Sequence, residues 1–345
     1  MSFVITQGSD KAIHYETSEI PEPQNDEVLV KFLASPVNPL DLLVIKGAYP
    51  VRPKFSQSGN PILGYEGVGE VIKCGSNVTR YQPGDLVIPS TFGVGTWRSY
   101  AALNASLLLK IDRPNDIVFA ALLRMAIAPA YFLVEEIRTL KPGECIIQNA
   151  GTSTVAQYVT QFAASRGVSV ISVIRDRSSD ETQRVKSALL AAGAEKVFTE
   201  SELATQATEL RKSKKIALAL DSVYGASGSL LMSALSDGGT FVHLGFLGGS
   251  TGKLELGPQD LFGRRLTLRG FRGSDHMAAR SAEEQTNLLN YWIAMLNRNE
   301  LQLPVLGLNL VELDSGPASG TAALNTVQRA QESSIGQRKQ IFLLK

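Results

Sequence analysis

The stretch Ile146–Arg177 reads IIQNAGTSTVAQYVTQFAASRGVSVISVIRDR. An apolar run, a turn, a segment with helical spacing and a second apolar run follow one another, which is the layout of a strand–turn–helix–strand unit that binds a dinucleotide. Glycines in such a turn keep it tight, let backbone approach a pyrophosphate and let the helix lie close to the strand, with the helix N-terminus facing the phosphates. Here the turn is Ala150, Gly151, Thr152, Ser153, Thr154, Val155, Ala156, which is poor in glycine. Ala156 still permits close packing, and the Ser and Thr side chains can cap the helix or offer hydroxyls to a phosphate. Thr154 reduces the steric freedom. By itself the turn is weak evidence for a nucleotide.

The end of the second apolar run adds to it. Arg175, Asp176 and Arg177 follow the turn by about 20 residues, where a ribose is read in this kind of unit. Two arginines there can grip a 2′-phosphate through charge-assisted bonds, which favours NADP over NAD. The competing reading is that RDRSSDE is a solvated loop, as charge clusters commonly are.

Working outward, segments of helical and strand pattern alternate from about Asp116, which implies βαβ units on a parallel sheet. Strands are expected at Glu144–Asn149, Val168–Ile174, Lys196–Thr199, Ile216–Asp221, Thr240–Leu244 and Leu266–Gly270. Helices are expected at Val155–Arg166, Thr182–Ala192 and Ser227–Leu235. The first third is different: EVLVKFL and GVGEVI alternate apolar with polar residues, and a Pro-Gly-Asp turn precedes another apolar strand, so it reads as a small β-rich domain. A helix after Ser281 and a strand at Gln340–Leu344 suggest that the chain returns to that domain.

Composition narrows the function. With 345 residues, 44% hydrophobic and 19% charged, the chain is long enough for two cores. Its 34 basic and 33 acidic residues give a net charge of +1, no footprint for nucleic acid or an anionic membrane. No apolar run approaches the length of a membrane span, and the opening MSFVITQGSDKAI lacks the pattern of a secretory or transit segment, so a cytoplasmic protein is expected. Cys74 and Cys145 form neither a disulfide framework nor a spaced metal cluster and read as buried free thiols.

Several long segments, in order, resemble the medium-chain dehydrogenase/reductase superfamily, and within it the zinc-free, mitochondrial-type 2-enoyl thioester reductases. They are PVNPLDLLVIKGAYP (Pro36–Pro50), GYEGVGEVIKCGSNVTRYQPGDLVIPS (Gly64–Ser90), GVGTWRSYA (Gly93–Ala101), LKPGECIIQNA (Leu140–Ala150), VIRDR (Val173–Arg177) and LRGF (Leu268–Phe271). The resemblance implies an α/β protein: a GroES-like β-rich catalytic domain from residues 1–115 and 276–345, and a Rossmann doubly wound parallel-sheet domain from 116–275. Zinc-using relatives carry Cys where this chain has Asn38 and Gly-His-Glu where it has Gly64-Tyr65-Glu66, and they have a four-cysteine lobe absent here. His14, His243 and His276 lack metal-ligand spacing as well, so no zinc is expected.

The implied activity is NADPH-dependent reduction of an activated double bond, with a CoA- or carrier-protein-bound acyl thioester as substrate. Charge then develops on the thioester oxygen and needs a donor aimed at it. Tyr49 matches the family's tyrosine for that role, the alternative being a loop aromatic packed on proline. Thr152, Ser153, Thr154 and Val155 match the pyrophosphate turn, Arg175 and Arg177 the 2′-phosphate readers around Asp176, and Gly245 and Lys339 further cofactor positions. Asn38, Tyr65, Trp97, Arg124, Phe246, Phe271 and Arg272 fall where the substrate pocket is expected, with core packing the alternative for Trp97 and a helix-surface charge for Arg124.

The departures from the family cluster at the nicotinamide end: Arg124–Tyr131 lacks the family's asparagine and threonine, Phe246 replaces a glycine, and Arg272 replaces an aromatic. Two further readings therefore stand beside the reductase. One is a protein of the same fold that has lost hydride transfer and works as a cyclase, lyase, isomerase or regulatory binder. The other is a quinone or alkenal reductase. The family also suggests a homodimer formed through the edge of the Rossmann sheet.

Overall fold

The computed structural model describes residues 1–249, 251–332 and 338–345. The chain divides into two compact units, one of Met1–Met125, Ala278–Leu303 and Leu308–Lys345, the other of Ala126–Met277 and Pro304–Gly307. The first break falls at Met125/Ala126, later than the expected 115/116, because the amides of Arg124 and Met125 both donate to Glu66 Oε1 at 2.8 Å and tie this stretch to the first unit.

The second unit carries a six-stranded parallel sheet in the order Lys196–Thr199, Ser169–Ile174, Cys145–Gln148, Ile216–Asp221, Thr240–His243, Thr267–Gly270. The chain runs outward from the centre to one edge and then restarts beside its first strand and runs to the other. This is the doubly wound arrangement, with its switch between Cys145–Gln148 and Ile216–Asp221. Both central strands are buried along their whole length, which explains why they read as unbroken apolar runs and not as alternation. The helices Thr154–Ser165, Ser179–Ala191, Glu200–Ser213 and Gly225–Ala234 alternate with the strands.

The helix Glu200–Ser213 was not among those expected. It starts with a reciprocal capping box, Thr199 accepting from the Glu202 amide and Glu202 accepting from the Thr199 amide, and it buries Leu203, Ala207 and Leu210 on one face. At the far edge, Thr267–Gly270 is exposed along its whole length.

The first unit is built on a strongly bent β-sheet. Its strands run in the order Leu308–Leu313, Lys339–Leu344, Glu27–Pro36, Val68–Cys74, Leu86–Pro89, Leu108–Ile111, and Tyr100–Asn104 also pairs with Glu27–Pro36. The pairing of Glu27–Pro36 with Val68–Cys74 shifts register twice, and such bulges bend a strand and tighten its twist. Alternation in these strands sends Val28, Val30 and Phe32 into a core with Phe3, Trp97, Val327 and Phe342. Gly64 in this unit has φ of +94°, and a Cβ there would meet the Trp97 nitrogen at 2.6 Å, so only glycine fits. Cys145 is buried as expected, whereas Cys74, at the end of the strand Val68–Cys74, is only half-buried.

Among the described residues no helix is long and apolar enough to cross a membrane.

Candidate active site

In the first unit the last strand brings a distant lysine to the start of a short helix. Lys339–Leu344 pairs antiparallel with the end of Glu27–Pro36, with Ile341 opposite Pro36, and the Val37 amide donates to the Gln340 carbonyl at 2.9 Å. This register delivers Lys339 Nζ to Asn38 Oδ1, to which it donates. Asn38 precedes the helix Pro39–Ile45, whose Asp41 reaches back to accept the Asn38 amide at 2.7 Å. The Asn38 side-chain amide donates in turn to Glu66 Oε2 at 3.1 Å, and Glu66 Oε1 holds the Arg124 and Met125 amides.

Asn38, Asp41 and Glu66 are all at most 2% exposed, so two carboxyls are buried beside one ammonium. Burial pushes the Asp41 carboxyl up to about 7, with the Glu66 charge adding to the rise and the Asn38 amide and Lys339 opposing it. Burial raises Glu66 too, against Lys339 and its hydrogen-bond donors, and burial lowers Lys339, against both carboxylates. The network therefore keeps an acidic proton near neutral pH. Lys339, expected beside the cofactor, is committed to this network.

Other expected residues of the first unit take their places around it. Tyr65 is 1% exposed and its hydroxyl donates to the Val51 carbonyl at 3.1 Å; burial pushes that hydroxyl up. Arg124 donates to the Pro89 carbonyl and its guanidinium stands 5.3 Å from the centre of the Phe92 ring, so it is a partly buried cation and not a free surface charge. Burial lowers it to about 10. Trp97 does not line a pocket: it is fully buried in the core, its Nε1 donates to the Pro36 carbonyl at 3.2 Å, and its ring meets Phe342 edge-on at 5.4 Å. Tyr49 lies in the bend after Pro39–Ile45, half-buried, with no hydrogen bond to its hydroxyl among the described residues.

In the second unit the opening stretch folds as a strand, turn and helix. Ala150 takes φ of +47° and Gly151 lies against the next strand, where a Cβ would meet Ser172 Cβ at 2.9 Å. One glycine thus does the close-approach work. Ser153 caps the helix Thr154–Ser165 by accepting from the Ala156 amide at 3.2 Å. The amides of Thr154 and Val155 have no acceptor within the helix and point from its positive end. Thr154 is only 9% exposed, so little of its side chain stands at the mouth of the turn.

After the second strand Arg175 is exposed, while Arg177 is paired with Glu181 at 3.3 Å and keeps a buried Nη1 without a partner among the described residues. Asp176 is directed elsewhere: one of its oxygens accepts from the Ser201 hydroxyl at 3.0 Å and the Ser201 amide at 3.3 Å, at the start of Glu200–Ser213. Bonds from Thr199 and Ser201 hold its carboxyl below the usual range.

At the ends of the fourth and fifth strands, Gly245 sits where a Cβ would come within 3.2 Å of the Ser222 carbonyl. Phe246 is 61% exposed, with its ring 4.6 Å from His243 and 6.1 Å from Tyr224. Phe271 is buried against His276 at 4.9 Å, and Arg272 is exposed and pairs with Asp275 at 3.8 Å. Among the described residues no group of three or more His, Cys, Asp or Glu is placed to hold a metal ion.

Residues 24–113 match the alcohol dehydrogenase GroES-like domain. The chain is 34% identical over 316 residues to a mitochondrial enoyl-[acyl-carrier-protein] reductase of Arabidopsis thaliana, covering 91% of this chain and 81% of that one. It is 34% identical over 298 residues to the human enzyme of the same name, covering 85% and 77%. This chain belongs to the mitochondrial-type enoyl thioester reductases of the medium-chain dehydrogenase/reductase superfamily. Among solved structures of this family, the mitochondrial 2-enoyl thioester reductase Etr1p/Etr2p heterodimer from Candida tropicalis superposes with a TM-score of 0.85 at 27% identity, covering 99% of both chains. The complex of Etr1p with NADP and crotonyl-CoA gives a TM-score of 0.85 at 26% identity, covering 99% of both chains.

Within the family frame, the sequence reading passed over Asp41, Glu66, Asn149, Asp221 and Tyr224, and considered His243 only as a metal ligand. Glu66 had a signal, since it ends the Gly-Tyr-Glu run that aligns with a metal-binding motif. Asp221 had one too, as an acid closing the apolar run IALALD.

Proposed function

We propose that this chain reduces the Cα=Cβ double bond of an enoyl thioester with NADPH. The observation that carries the reading is the set of unused donors on the second unit. These are the first amides of Thr154–Ser165, the exposed Arg175 and the unpartnered Nη1 of Arg177, arranged after the first and second strands as a dinucleotide requires. Gly151, with no room for a Cβ, lets the backbone lie close.

Bound NADPH supplies the hydride. Thr152, Ser153, Thr154 and Val155 are assigned to its pyrophosphate and Arg175 and Arg177 to its 2′-phosphate. Tyr49 is assigned to the substrate: its unpartnered hydroxyl donates to the thioester oxygen, where negative charge develops. The substrate is a thioester of CoA or of an acyl carrier protein. A homodimer is supported by the exposed edge strand Thr267–Gly270, whose free backbone groups can pair with a second copy. The relatives are named mitochondrial, whereas the sequence reading expects the cytoplasm. Light scattering, read against the 37.2 kDa chain mass, tests the dimer, and cell fractionation assigns the compartment.

The test is NADPH oxidation followed with crotonyl-CoA and with a quinone. Turnover of the thioester is expected, and Tyr49→Phe is expected to lower kcat by about 10² with little change in NADPH binding. Turnover of the quinone alone overturns the thioester reading, and an unchanged kcat in Tyr49→Phe removes Tyr49 from the reaction.

A further inference from the structure

The partly buried His243 and the buried Asp221 form a pair that neither the cofactor assignment nor the substrate assignment uses. They close neighbouring parallel strands and are direct partners in register. His243 Nδ1 lies 3.1 Å from Asp221 Oδ2. Asp221 is 0% exposed, and its other oxygen accepts from Asn149 Nδ2 at 2.7 Å and from the amides of Tyr224 at 2.9 Å and Val223 at 3.1 Å. With Oδ1 occupied by three donors, Oδ2 is the acceptor facing the imidazole. The network therefore assigns the proton of the neutral ring to Nδ1 and leaves Nε2 as a hydrogen-bond acceptor.

Nε2 is buried and has no partner among the described residues. A buried acceptor without a donor is costly, and such groups in a folded protein call for an explanation. The aromatic surroundings add a second oddity. Tyr224, whose ring lies 4.7 Å from His243, has φ of +77°, a region that favours glycine and strains a bulky residue. The largely exposed Phe246 ring also packs on the histidine, 4.6 Å from it and 6.1 Å from Tyr224.

The position of the pair says which ligand would supply the donor. Asn149 leads directly into the Ala150–Val155 turn, and it binds Asp221 through Nδ2 and the Ser222 amide through Oδ1 at 2.7 Å. The pair and the phosphate turn therefore share the carboxyl edge of the sheet, where ligands of doubly wound folds bind. In strand order, Arg175 and Arg177 follow the neighbour on one side of Cys145–Gln148, while Asp221 and His243 end the two strands on its other side. A dinucleotide with its pyrophosphate at the turn and its adenosine toward the arginines extends its other half over His243.

We propose that His243 is a positioning residue for the nicotinamide riboside half of NADPH: Nε2, its tautomer fixed by Asp221, accepts a hydrogen bond from an O–H or N–H of that half, with Phe246 moving off the ring to admit it. The inference rests on the NADPH reading above. The test is calorimetric titration of the wild type, His243→Phe and His243→Gln with three ligands: NADPH, its 3-acetylpyridine analogue and adenosine 2′,5′-bisphosphate.

His243→Phe is expected to weaken NADPH about tenfold, about 1.4 kcal/mol, while the bisphosphate changes less than about twofold. His243→Gln, which keeps an acceptor, is expected to recover part of the loss. If the tenfold difference persists with the acetylpyridine analogue, which lacks the carboxamide N–H, the donor is a ribose hydroxyl; if it vanishes, the donor is the carboxamide. Equal weakening of NADPH and the bisphosphate overturns the proposal in favour of a structural role, and so does unchanged NADPH affinity in His243→Phe. Failure of the wild type to bind either NADPH or the bisphosphate overturns the NADPH reading itself, a result distinct from a loss confined to the variants.

Discussion

In the first unit Lys339, Asn38, Glu66 and Asp41 are linked to one another by hydrogen bonds, with Asp41 Oδ1 left over, whereas at the carboxyl edge of the second unit Arg177 Nη1 and His243 Nε2 are buried without partners among the described residues. Both sets sit in low-dielectric surroundings, and each holds residues expected at a ligand, Lys339 and Asn38 in the first and Arg177 in the second. The difference teaches that a network bonded mainly within itself holds a backbone in place, fixing the helix Pro39–Ile45 and the Arg124–Met125 segment around Glu66. An unsatisfied set is stored binding capacity, destabilising until a ligand arrives.

That contrast can be broken from either side. The largest effect is expected from Lys339→Met, which leaves Glu66 and Asp41 without their cation. Breaking one side of a buried ion network typically costs about 3–5 kcal/mol, so a large drop in Tm is expected. A Tm within about a degree of wild type would mean that the carboxyls do not depend on the lysine. Next, replacing Arg175 and Arg177 together with alanine is expected to weaken NADPH by about ten- to a hundredfold and NADH little, since each charge-assisted bond to the 2′-phosphate contributes about 1.5–3 kcal/mol before solvent exposure discounts it. Titration of both nucleotides checks this, and equal losses would make the pair structural.

The smallest effect sharpens the comparison through pH. Asp41 is raised from 3.8 to about 7 in the folded chain, so between about pH 4 and 7 the folded state holds a proton that the unfolded chain has released. Stability from this group is complete below about pH 4 and declines as pH rises through 7. Asp41→Asn keeps the acceptor for the Asn38 amide and removes the titration, so the fall of Tm across that window should flatten. An unaltered slope would assign the titration elsewhere.

The sequence made the architecture of the second unit readable because its central strands are buried apolar runs with helical patterns between them. The strands Lys196–Thr199 and Ile216–Asp221 have the expected bounds, and the others differ at their ends by a residue or two. Glu200–Ser213 was missed although its capping box and its Leu203–Ala207–Leu210 stripe are local signals; its high charge obscured them. The site was less legible. Asp176 looked like a ribose reader because its spacing is right, yet Ser201, far along the chain, claims it. Trp97 looked like a pocket aromatic, but the Pro36 carbonyl and Phe342 hold it in the core. The His243–Asp221 pair follows from strand register alone, which a sequence shows only once the strand order is known.

The pairing of Lys339 with Asn38 joins residues 301 positions apart. On the ribosome, Asp41 and Glu66 emerge early, and at roughly 5–20 residues per second their cation follows about 15–60 seconds later. Residues 126–277, nearly the whole second unit, are synthesised in that interval. The nucleotide-binding half can therefore fold during translation, while the other half waits with its acids unmatched until the strand carrying Lys339 has emerged.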